Sequence, residues 1–199
     1  MEIQETSLRD VCLIKPVINT DFRGEYVMTF NEEEFGDHFR RPPLALNIMT
    51  GRKPLEAILP KSPVVFVEED ISTSFKGVMR GIHYSPNCWK LNQCLYGSIY
   101  YVVVNCDEED PEFGKWEAFI LSDRNRHQLF KHPRYGSGFL TLSDTSLFHY
   151  KQTEYYDSNN PSQQTFKWDD PRFKIWWPKL NNPPILSRRD EQGSYVPKE

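Results

Sequence analysis

Short runs of β-branched and aromatic residues, separated by proline, glycine, asparagine and aspartate, recur along almost the whole chain. These turn-forming residues limit each regular element to a few residues and favour strands over helices. Many short strands are typical of an all-β sandwich or barrel. The predicted strands are Val11 to Ile18, Glu25 to Phe30, Val64 to Glu68, Phe75 to Tyr84, Ser98 to Cys106, Trp116 to Leu121, His127 to His132, Phe139 to Leu142 and Ser146 to Tyr155.

The 199 residues are enough for a single domain with its own core, and residues 1–199 are predicted to form one. One short helix is expected from Asn31 to Phe39, with Asn31 as its N-cap and three glutamates in its first turn. The proline-rich stretch 40–63 is interpreted as an inserted loop. Residues 168–199 are interpreted as an extended tail whose tryptophans pack on the barrel.

The charge balance restricts the partners. Lys and Arg number 24 against 28 Asp and Glu, a formal net charge of -4, so a nucleic-acid backbone is not the expected ligand. The longest strongly apolar run, Ile99 to Val104, is too short to span a bilayer, and the first residues lack the apolar core of a signal peptide. Four irregularly spaced cysteines without a C-x-x-C pair fit reduced thiols. A cytoplasmic protein without membrane contact is therefore predicted.

Five histidines raise the question of a metal inside the barrel. A metal-binding barrel typically offers His-x-His with a carboxylate a few residues later. Here His83 is followed by Tyr84 and Ser85, and no glutamate occurs before Tyr96. We therefore expect neither a metal nor another cofactor.

The segment Val78 to Tyr84 holds two polar residues in a strand otherwise built for burial. Strict alternation would place Arg80 and His83 on opposite faces, but a bulge at Gly81 would bring both into one cavity. Phe148 and Tyr150 share a strand face, so a buried Phe148 predicts that the Tyr150 hydroxyl points into the barrel.

Motifs spread over nearly the whole chain resemble those of the dTDP-4-dehydrorhamnose 3,5-epimerase family. Each motif is weak alone, but their order and number make chance similarity a poor explanation. The matching segments are Asp21 to Gly24, Val78 to His83, Lys90-Leu91, Gly97, Gly138 to Asp144, Phe148 to Tyr156, Trp168 to Pro171, Ile175, Trp177-Pro178 and Leu186 to Asp190.

This resemblance implies a cupin-type jelly roll that epimerises nucleotide-linked 4-keto-6-deoxy sugars without a metal. The C3 and C5 hydrogens of such a sugar are acidic because both carbons adjoin the C4 ketone. By the resemblance, His83 is the base, Asp190 orients it, Tyr150 is the acid on the opposite ring face and Lys90 faces the ketone oxygen.

The resemblance also implies how substrate is held. Arg80 falls at an arginine of the sugar cavity, and Arg23 and Arg189 fall at positions near the nucleotide diphosphate, which explains how an acidic protein could bind an anion. Tyr155 belongs to the same predicted binding set and is a second candidate acid. Family members are dimers in which strands cross between barrels, so a homodimer is expected, with strands from Val11 to Phe30 as its contributors.

Departures from the family pattern lie on the side of ligand recognition. Ser137 stands where a substrate-contacting histidine is expected, and Glu68-Glu69-Asp70 replaces an acceptor-rich Gln-Asp-Asn. We still assign Glu68, Asp70 and Ser137 to substrate binding. A short loop before Lys90 resembles relatives acting on GDP-linked heptoses in capsule pathways. The leading hypothesis is an epimerase that acts at C3, C5 or both of a nucleoside-diphosphate 4-keto-6-deoxy sugar. The alternatives are an epimerase specific for GDP-linked 4-keto-6-deoxy heptoses and a sugar-nucleotide binding protein without turnover.

Overall fold

The computed structural model describes residues 1–35, 64–157 and 159–193, and the predicted insertion 40–63 lies outside them. Their regular structure is almost entirely β. The strands are β1 (Glu2–Glu5), β2 (Val11–Lys15), β3 (Ile18–Asp21), β4 (Gly24–Val27), β5 (Glu68–Phe75), β6 (Met79–Tyr84), β7 (Lys90–Tyr96), β8 (Ser98–Asn105), β9 (Trp116–Ser122), β10 (Gln128–Lys131), β11 (Tyr135–Thr141), β12 (Thr145–Gln152) and β13 (Gln164–Thr165). A C-terminal helix spans Arg188–Gln192.

Two antiparallel sheets form the barrel. One has six strands in the order β1-β2-β10-β7-β12-β5, and the other has five in the order β13-β6-β11-β8-β9. Their inner faces meet in one apolar cluster, to which the first sheet contributes Leu129 and Phe148 and the second Ile99, Tyr101 and Phe139. The hairpin β3–β4 forms a separate two-stranded sheet. The non-sequential strand order buries both inner faces, as an all-β barrel requires.

The C-terminal segment covers the outer face of the second sheet. Trp168, Trp177 and Leu186 pack against a cluster that contains Tyr100 and Val102 of β8. The Trp177 indole donates to the carbonyl of Trp168 at 3.0 Å, so its polar edge is satisfied although the ring is largely covered. This packing brings the chain back beside β6 and positions the C-terminal helix.

Strand β7 was absent from the sequence prediction because its residues do not alternate as a half-buried strand should. Asn92 and Gln93 are buried there as fully as their apolar neighbours. Their side chains are satisfied internally: the Asn92 amide donates to the Leu129 carbonyl at 3.1 Å, and Gln93 bonds the His149 ring at 2.7 Å. Because these buried polar residues satisfy their hydrogen bonds inside the protein, the sequence of β7 shows no alternation of apolar and polar residues.

Several predicted strand boundaries were wrong, and the largest errors lie around β5. The segments Val64 to Glu68 and Phe75 to Tyr84 were expected as strands, whereas β5 runs through Glu68–Phe75 and a turn precedes β6. Polar Ser72 and Thr73 concealed the middle of β5. The helix predicted from Asn31 is present over residues 32–35, where the Asn31 side chain accepts from the amides of Glu33 and Glu34. Its remainder lies outside the described residues.

In the three described stretches, no helix has the length and apolar character needed to cross a membrane. The four cysteines, Cys12, Cys88, Cys94 and Cys106, are all free thiols. Three of them are buried, and burial raises the pKa of Cys106 to about 12, so this thiol is inert at neutral pH.

Candidate functional site

An irregularity in β6 places two polar side chains on the inner face of the barrel. Ser137 pairs with His83, but Phe139 pairs with Arg80, so three steps along β6 oppose two along β11. This extra residue is the predicted bulge. Consistent with it, Met79 and Ile82 both pack in the outer clusters under the C-terminal segment, which leaves Arg80 and His83 on the other face.

Gly81 is required at the bulge. Its φ is +105°, a region that side-chain-bearing residues rarely adopt. A Cβ atom there would lie 2.6 Å from the Ser137 carbonyl oxygen and 2.7 Å from the Gly138 Cα. Backbone therefore approaches backbone at this point, and the close approach fixes where His83 stands relative to β11.

His83 and Asp190 form a close pair. The Nε2 atom of His83 lies 2.6 Å from Oδ1 of Asp190, although 107 residues separate them. The imidazole is 41% exposed and the carboxylate 4%. Because the carboxylate holds the proton on Nε2, the lone pair of the ring is on Nδ1, and no described residue hydrogen-bonds that atom. The pair thus fixes the orientation of the imidazole and leaves its second ring nitrogen without a hydrogen bond from the described residues.

The Asp190 carboxylate is held by further hydrogen bonds. Ser187, the N-cap of the C-terminal helix, donates its hydroxyl to Oδ2 at 2.8 Å, and the amide of Gly81 approaches Oδ1 at 3.4 Å. Burial alone would raise the pKa of Asp190, but the bonds from His83, Ser187 and Gly81 outweigh it and lower the pKa. The carboxylate therefore stays ionised and can stabilise a protonated His83.

Tyr150 lies on the facing sheet, on β12. Its ring packs on Phe148 with centroids 5.8 Å apart, within the inner cluster, as expected from the shared strand face. Burial, and then the charge of Asp70 on the neighbouring strand, raise the pKa of Tyr150 above its ordinary range. The phenol consequently remains protonated well above neutral pH.

Lys90 is the neighbour of Tyr150 inside the barrel. Its ammonium nitrogen lies 4.6 Å from the centre of the Tyr150 ring. Burial lowers the pKa of Lys90, while the carboxylates of Asp70 and Glu68 act in the opposite direction. A cation, a phenol and a carboxylate thus meet on one sheet, opposite the histidine of the other.

Three further predicted residues lie at the edge of this cavity. Arg80 donates from Nε to the Ser74 hydroxyl at 3.0 Å and so bridges the two sheets. Glu68 accepts from the Gln152 amide and from the backbone amide of Tyr156. Arg189 precedes Asp190 on the C-terminal helix, bonds Thr165 Oγ1 at 2.7 Å, and lowers the pKa of Lys90 by its charge.

Two predicted residues are not part of this assembly within the protomer. Arg23 belongs to the loop of the β3–β4 hairpin, where its side chain is 77% exposed and pairs with Asp21. Tyr155 is 72% exposed, and it is the adjacent Tyr156 whose hydroxyl accepts from Arg189 at 3.1 Å. Sequence spacing near a strand end could not distinguish these two tyrosines.

Three residues around the site were not found from the sequence. Ser187 was detectable, because a serine three positions before a carboxylate is the usual signature of a helix start. Lys131 gave no such signal: it is buried opposite Lys90, donates to the Tyr135 carbonyl at 2.6 Å, and has a pKa lowered to about 7 by burial and then by Lys90. Tyr101 has the sequence context of an ordinary core aromatic, although it lies beside Ser137 and Tyr150 in the inner cluster.

An imidazole oriented by a carboxylate on one sheet, facing a protonated phenol and a cation on the other, is an arrangement suited to proton transfer. Comparison with known families agrees with this class. The family model described as dTDP-4-dehydrorhamnose 3,5-epimerase matches residues 5–197. The chain belongs to this family of sugar epimerases, which are isomerases.

Relatives of the same description support the assignment. The chain is 35% identical to the enzyme of Neisseria gonorrhoeae over 195 residues, which cover 97% of the chain and 52% of the relative. It therefore spans about half the length of that protein. Identity to the enzyme of Escherichia coli (strain K12) is 33% over 195 residues, covering 96% of the chain and 92% of the relative.

Solved structures give the same fold. The 3,5-epimerase of Legionella pneumophila, in complex with dTDP-4-keto-L-rhamnose, matches with a TM-score of 0.76 at 29% identity, covering 95% of this chain and 89% of that one. A 4-keto-6-deoxy sugar epimerase from the novobiocin gene cluster of Streptomyces spheroides matches with a TM-score of 0.78 at 26% identity, covering 96% and 84%. The architecture is the predicted cupin-type jelly roll.

Proposed function

We propose that this chain epimerises a nucleoside-diphosphate 4-keto-6-deoxy sugar at C3, C5 or both, by proton exchange through an enolate. The contact that carries the proposal is the 2.6 Å pair of His83 and Asp190, set in a barrel whose facing sheet holds Tyr150 and Lys90. Proton loss and proton return on opposite faces of one ring require donors and acceptors on opposite walls. The two sheets supply those walls.

In the proposed reaction, Nδ1 of His83 takes the proton from the carbon next to the ketone. The C–H bonding pair forms the enolate double bond, and the carbonyl pair moves onto the C4 oxygen. Lys90 stabilises this oxyanion, a contribution of about 3 kcal/mol for a single donor of this kind. Tyr150 then gives its proton to the opposite face of the carbon while the oxyanion pair re-forms the C4 carbonyl, which inverts the centre, and the phenolate left behind regains a proton from solvent. Asp190 holds the imidazolium until the proton is lost to solvent.

Charge pairing near Lys90 fits this role. Burial lowers the pKa of Lys90, which would weaken its charge, but Asp70 and Glu68 offset part of that effect. The same Asp70 raises the pKa of Tyr150. One carboxylate therefore favours both the charged lysine and the protonated phenol, the two states that the proposed reaction requires.

The nucleotide is proposed to bind at the open end of the barrel, where Arg80 and Arg189 lie. Charge-assisted bonds to phosphate contribute about 1.5–3 kcal/mol each. Three of the four relatives described above are named as enzymes of dTDP sugars, whereas acidic Glu68 and Asp70 would also suit the donor groups of guanine. A GDP-linked sugar of a capsule pathway therefore stands as the alternative to a dTDP-linked deoxysugar.

The reaction is proposed to take place in the cytoplasm. Four free thiols, three of them buried, fit a reducing compartment. The described residues hold no helix suited to crossing a membrane, which is compatible with this location.

Deuterium exchange tests the proposed reaction directly. In D2O, the protein should introduce deuterium at C3, C5 or both of a dTDP- or GDP-linked 4-keto-6-deoxy sugar, and NMR of the recovered sugar reads each carbon separately. Parallel incubations with the two nucleotides identify the preferred carrier. Binding of either sugar nucleotide without deuterium at C3 or C5 would instead identify a binding protein without turnover.

A homodimer is proposed to complete the site. The β3–β4 hairpin leaves Phe22, Arg23 and Tyr26 exposed, at 98% for the Phe22 side chain, which is an unusual surface for an isolated subunit. If this hairpin reaches the barrel of a second copy, Arg23 can meet the diphosphate there.

Replacing Arg23 should therefore weaken nucleotide-sugar binding although Arg23 is remote from the site in its own protomer. Arg23→Ala is expected to raise the dissociation constant about 10-fold, the loss of one charge-assisted phosphate contact. Calorimetric titration measures it, with Arg124→Ala as the control, since Arg124 is an exposed arginine in the β9–β10 turn. Equal affinity in both variants, or a monomer by sedimentation, would contradict the dimer proposal.

A further inference from the structure

Two lysines lie side by side on the inner face of the first sheet. Lys131 of β10 and Lys90 of β7 stand directly opposite each other in the strand register. Their chain neighbours Phe130 and Leu91 belong to an apolar cluster separate from the one between the sheets, so both lysines point into the barrel. Lys131 is 1% exposed. Like charges in this arrangement destabilise a sheet, and burial increases the cost because water screens them less.

The side chain of Lys90 extends away from Lys131. In the strand order β10-β7-β12, Lys131 lies on one side of Lys90 and Tyr150 on the other. The Lys90 nitrogen lies 4.6 Å from the centre of the Tyr150 ring. Mutual repulsion favours this direction, because it increases the distance between the two ammonium groups.

Lys131 is itself held in place. Its side-chain nitrogen donates to the Tyr135 carbonyl of β11, in the facing sheet, at 2.6 Å. The next residue along the chain, His132, is uncharged at neutral pH because burial, and then the charge of Arg134, lower its pKa to about 3. Lys131 is therefore a fixed group whose strongest charged neighbour is Lys90.

The two lysines differ in the charges around them. Asp70 and Glu68 act on Lys90 and favour its charged form. Among the described residues, no carboxylate acts on Lys131 in this way. The titratable groups whose charges reach it are Lys90, Cys88 and Cys106. Burial, and then the charge of Lys90, lower the pKa of Lys131 to about 7, so Lys131 is the lysine of the pair that changes charge near neutral pH.

We propose that Lys131 is a positioning residue of this site, which directs the Lys90 ammonium toward Tyr150 and the ketone oxygen of the bound sugar. The proposal rests on the proposed function and deepens it. Repulsion between the lysines raises the energy of the free site, and the negative charge that develops on the ketone oxygen beside Lys90 offsets it. An unfavourable interaction that is relieved only as the enolate forms accelerates proton removal.

The substitution Lys131→Met removes the ammonium and keeps an unbranched side chain. Near pH 6, where Lys131 is charged, kcat/KM of the exchange reaction should fall about 10-fold, the order of a single charge–charge interaction in a partly buried site. Above about pH 8 the unaltered protein has itself lost this charge, so the difference should shrink to less than about 2-fold. The ratio of the two values should change with a midpoint near pH 7, and other titrating groups cancel because both proteins contain them. A purely structural role predicts a ratio that does not vary with pH, and that result would overturn the proposal.

Two further variants serve as controls. Lys115 lies in the connection between β8 and β9, pairs with Glu112 and has a partly exposed side chain, so Lys115→Met should leave kcat/KM unchanged at every pH. Lys131→Gln is uncharged but retains an N–H donor, on a side chain one bond shorter. It should lose activity near pH 6 as Lys131→Met does. Full activity of Lys131→Gln near pH 6 would assign the role to hydrogen bonding instead of charge and refute the proposal.

NMR of lysine side chains labelled at Cε tests the coupling without turnover. A lysine signal should titrate near pH 7 and be absent from Lys131→Met. Lys90→Met should raise its midpoint by about one pH unit, because the neighbouring charge is gone. An unmoved midpoint would contradict the proposal, since the two lysines would then not interact. If the protein binds a sugar nucleotide without exchange, the proposed function fails, whereas a raised midpoint in Lys90→Met still supports the action of one lysine on the other.

Discussion

Exchange at C3 and C5 should fall roughly 100- to 10,000-fold when His83 is replaced by asparagine, the range that a positioned general base contributes. The asparagine amide superposes on the Nδ1 edge of the imidazole and is too short to replace Nε2, but Asp190 keeps its bonds from Ser187 and Gly81, so the fold should persist. What disappears is the basic Nδ1 atom. The rate of deuterium entry, followed by NMR in D2O, is the measurement.

Binding separates this effect from damage to the site. The dissociation constant of the sugar nucleotide should change by less than about 3-fold in His83→Asn, because the proposed phosphate contacts are made by arginines and not by His83. His127→Asn serves as the matched control, since His127 lies just before β10 and outside the cavity. Substantial residual exchange in His83→Asn would place the base elsewhere.

The second large effect concerns completion of the inversion. Tyr150→Phe should slow inversion about 100-fold while slowing the initial proton loss much less, because His83 still acts from its own wall. Deuterium would then return mostly from the face it left, giving labelled sugar of unchanged configuration. Measuring label and configuration at the same carbon distinguishes the two steps.

The control for this prediction is Tyr155→Phe. Tyr155 is 72% exposed, and it should be neutral in both steps. Loss of inversion in Tyr155→Phe, with normal inversion in Tyr150→Phe, would reverse the assignment of the acid. The raised pKa of Tyr150 adds a second check: inversion in the unaltered protein should not decline through deprotonation of this phenol near pH 10, its ordinary range.

Strands with regular alternation or continuous apolar runs, such as β8 and β12, were predictable because their burial follows a period of two. Strand β7 was not, since it buries Asn92 and Gln93, whose partners lie far away in sequence. The bulge in β6 was predictable because glycine between two polar residues suggested a break in alternation. Its physical cause, backbone contact with β11, involves residues that the local sequence does not reveal.

The prediction of the site residues succeeded where a sequence motif was present and failed where only tertiary contacts mark a residue. Motif resemblance pointed to His83, Asp190, Tyr150 and Lys90, which the fold brings to facing walls. A buried polar contact cannot be recognised from residue type, so Lys131 was missed although it lies opposite Lys90 on the neighbouring strand. Arg23 shows the opposite limitation of motif resemblance. Its motif matches the family pattern, but within a single chain its side chain lies on the surface, away from His83 and Tyr150.

The separation between His83 and Asp190 also affects when activity can begin. Because synthesis runs from the N-terminus, the carboxylate is added 107 residues after the histidine it orients. The strands of both sheets are complete by Thr165, so the barrel can close while its base still lacks an orienting group. The C-terminal helix must then dock against β6, with the Ser187 cap formed, before the imidazole is fixed. Under the proposed mechanism, a chain cut before that helix would lack the carboxylate that orients His83.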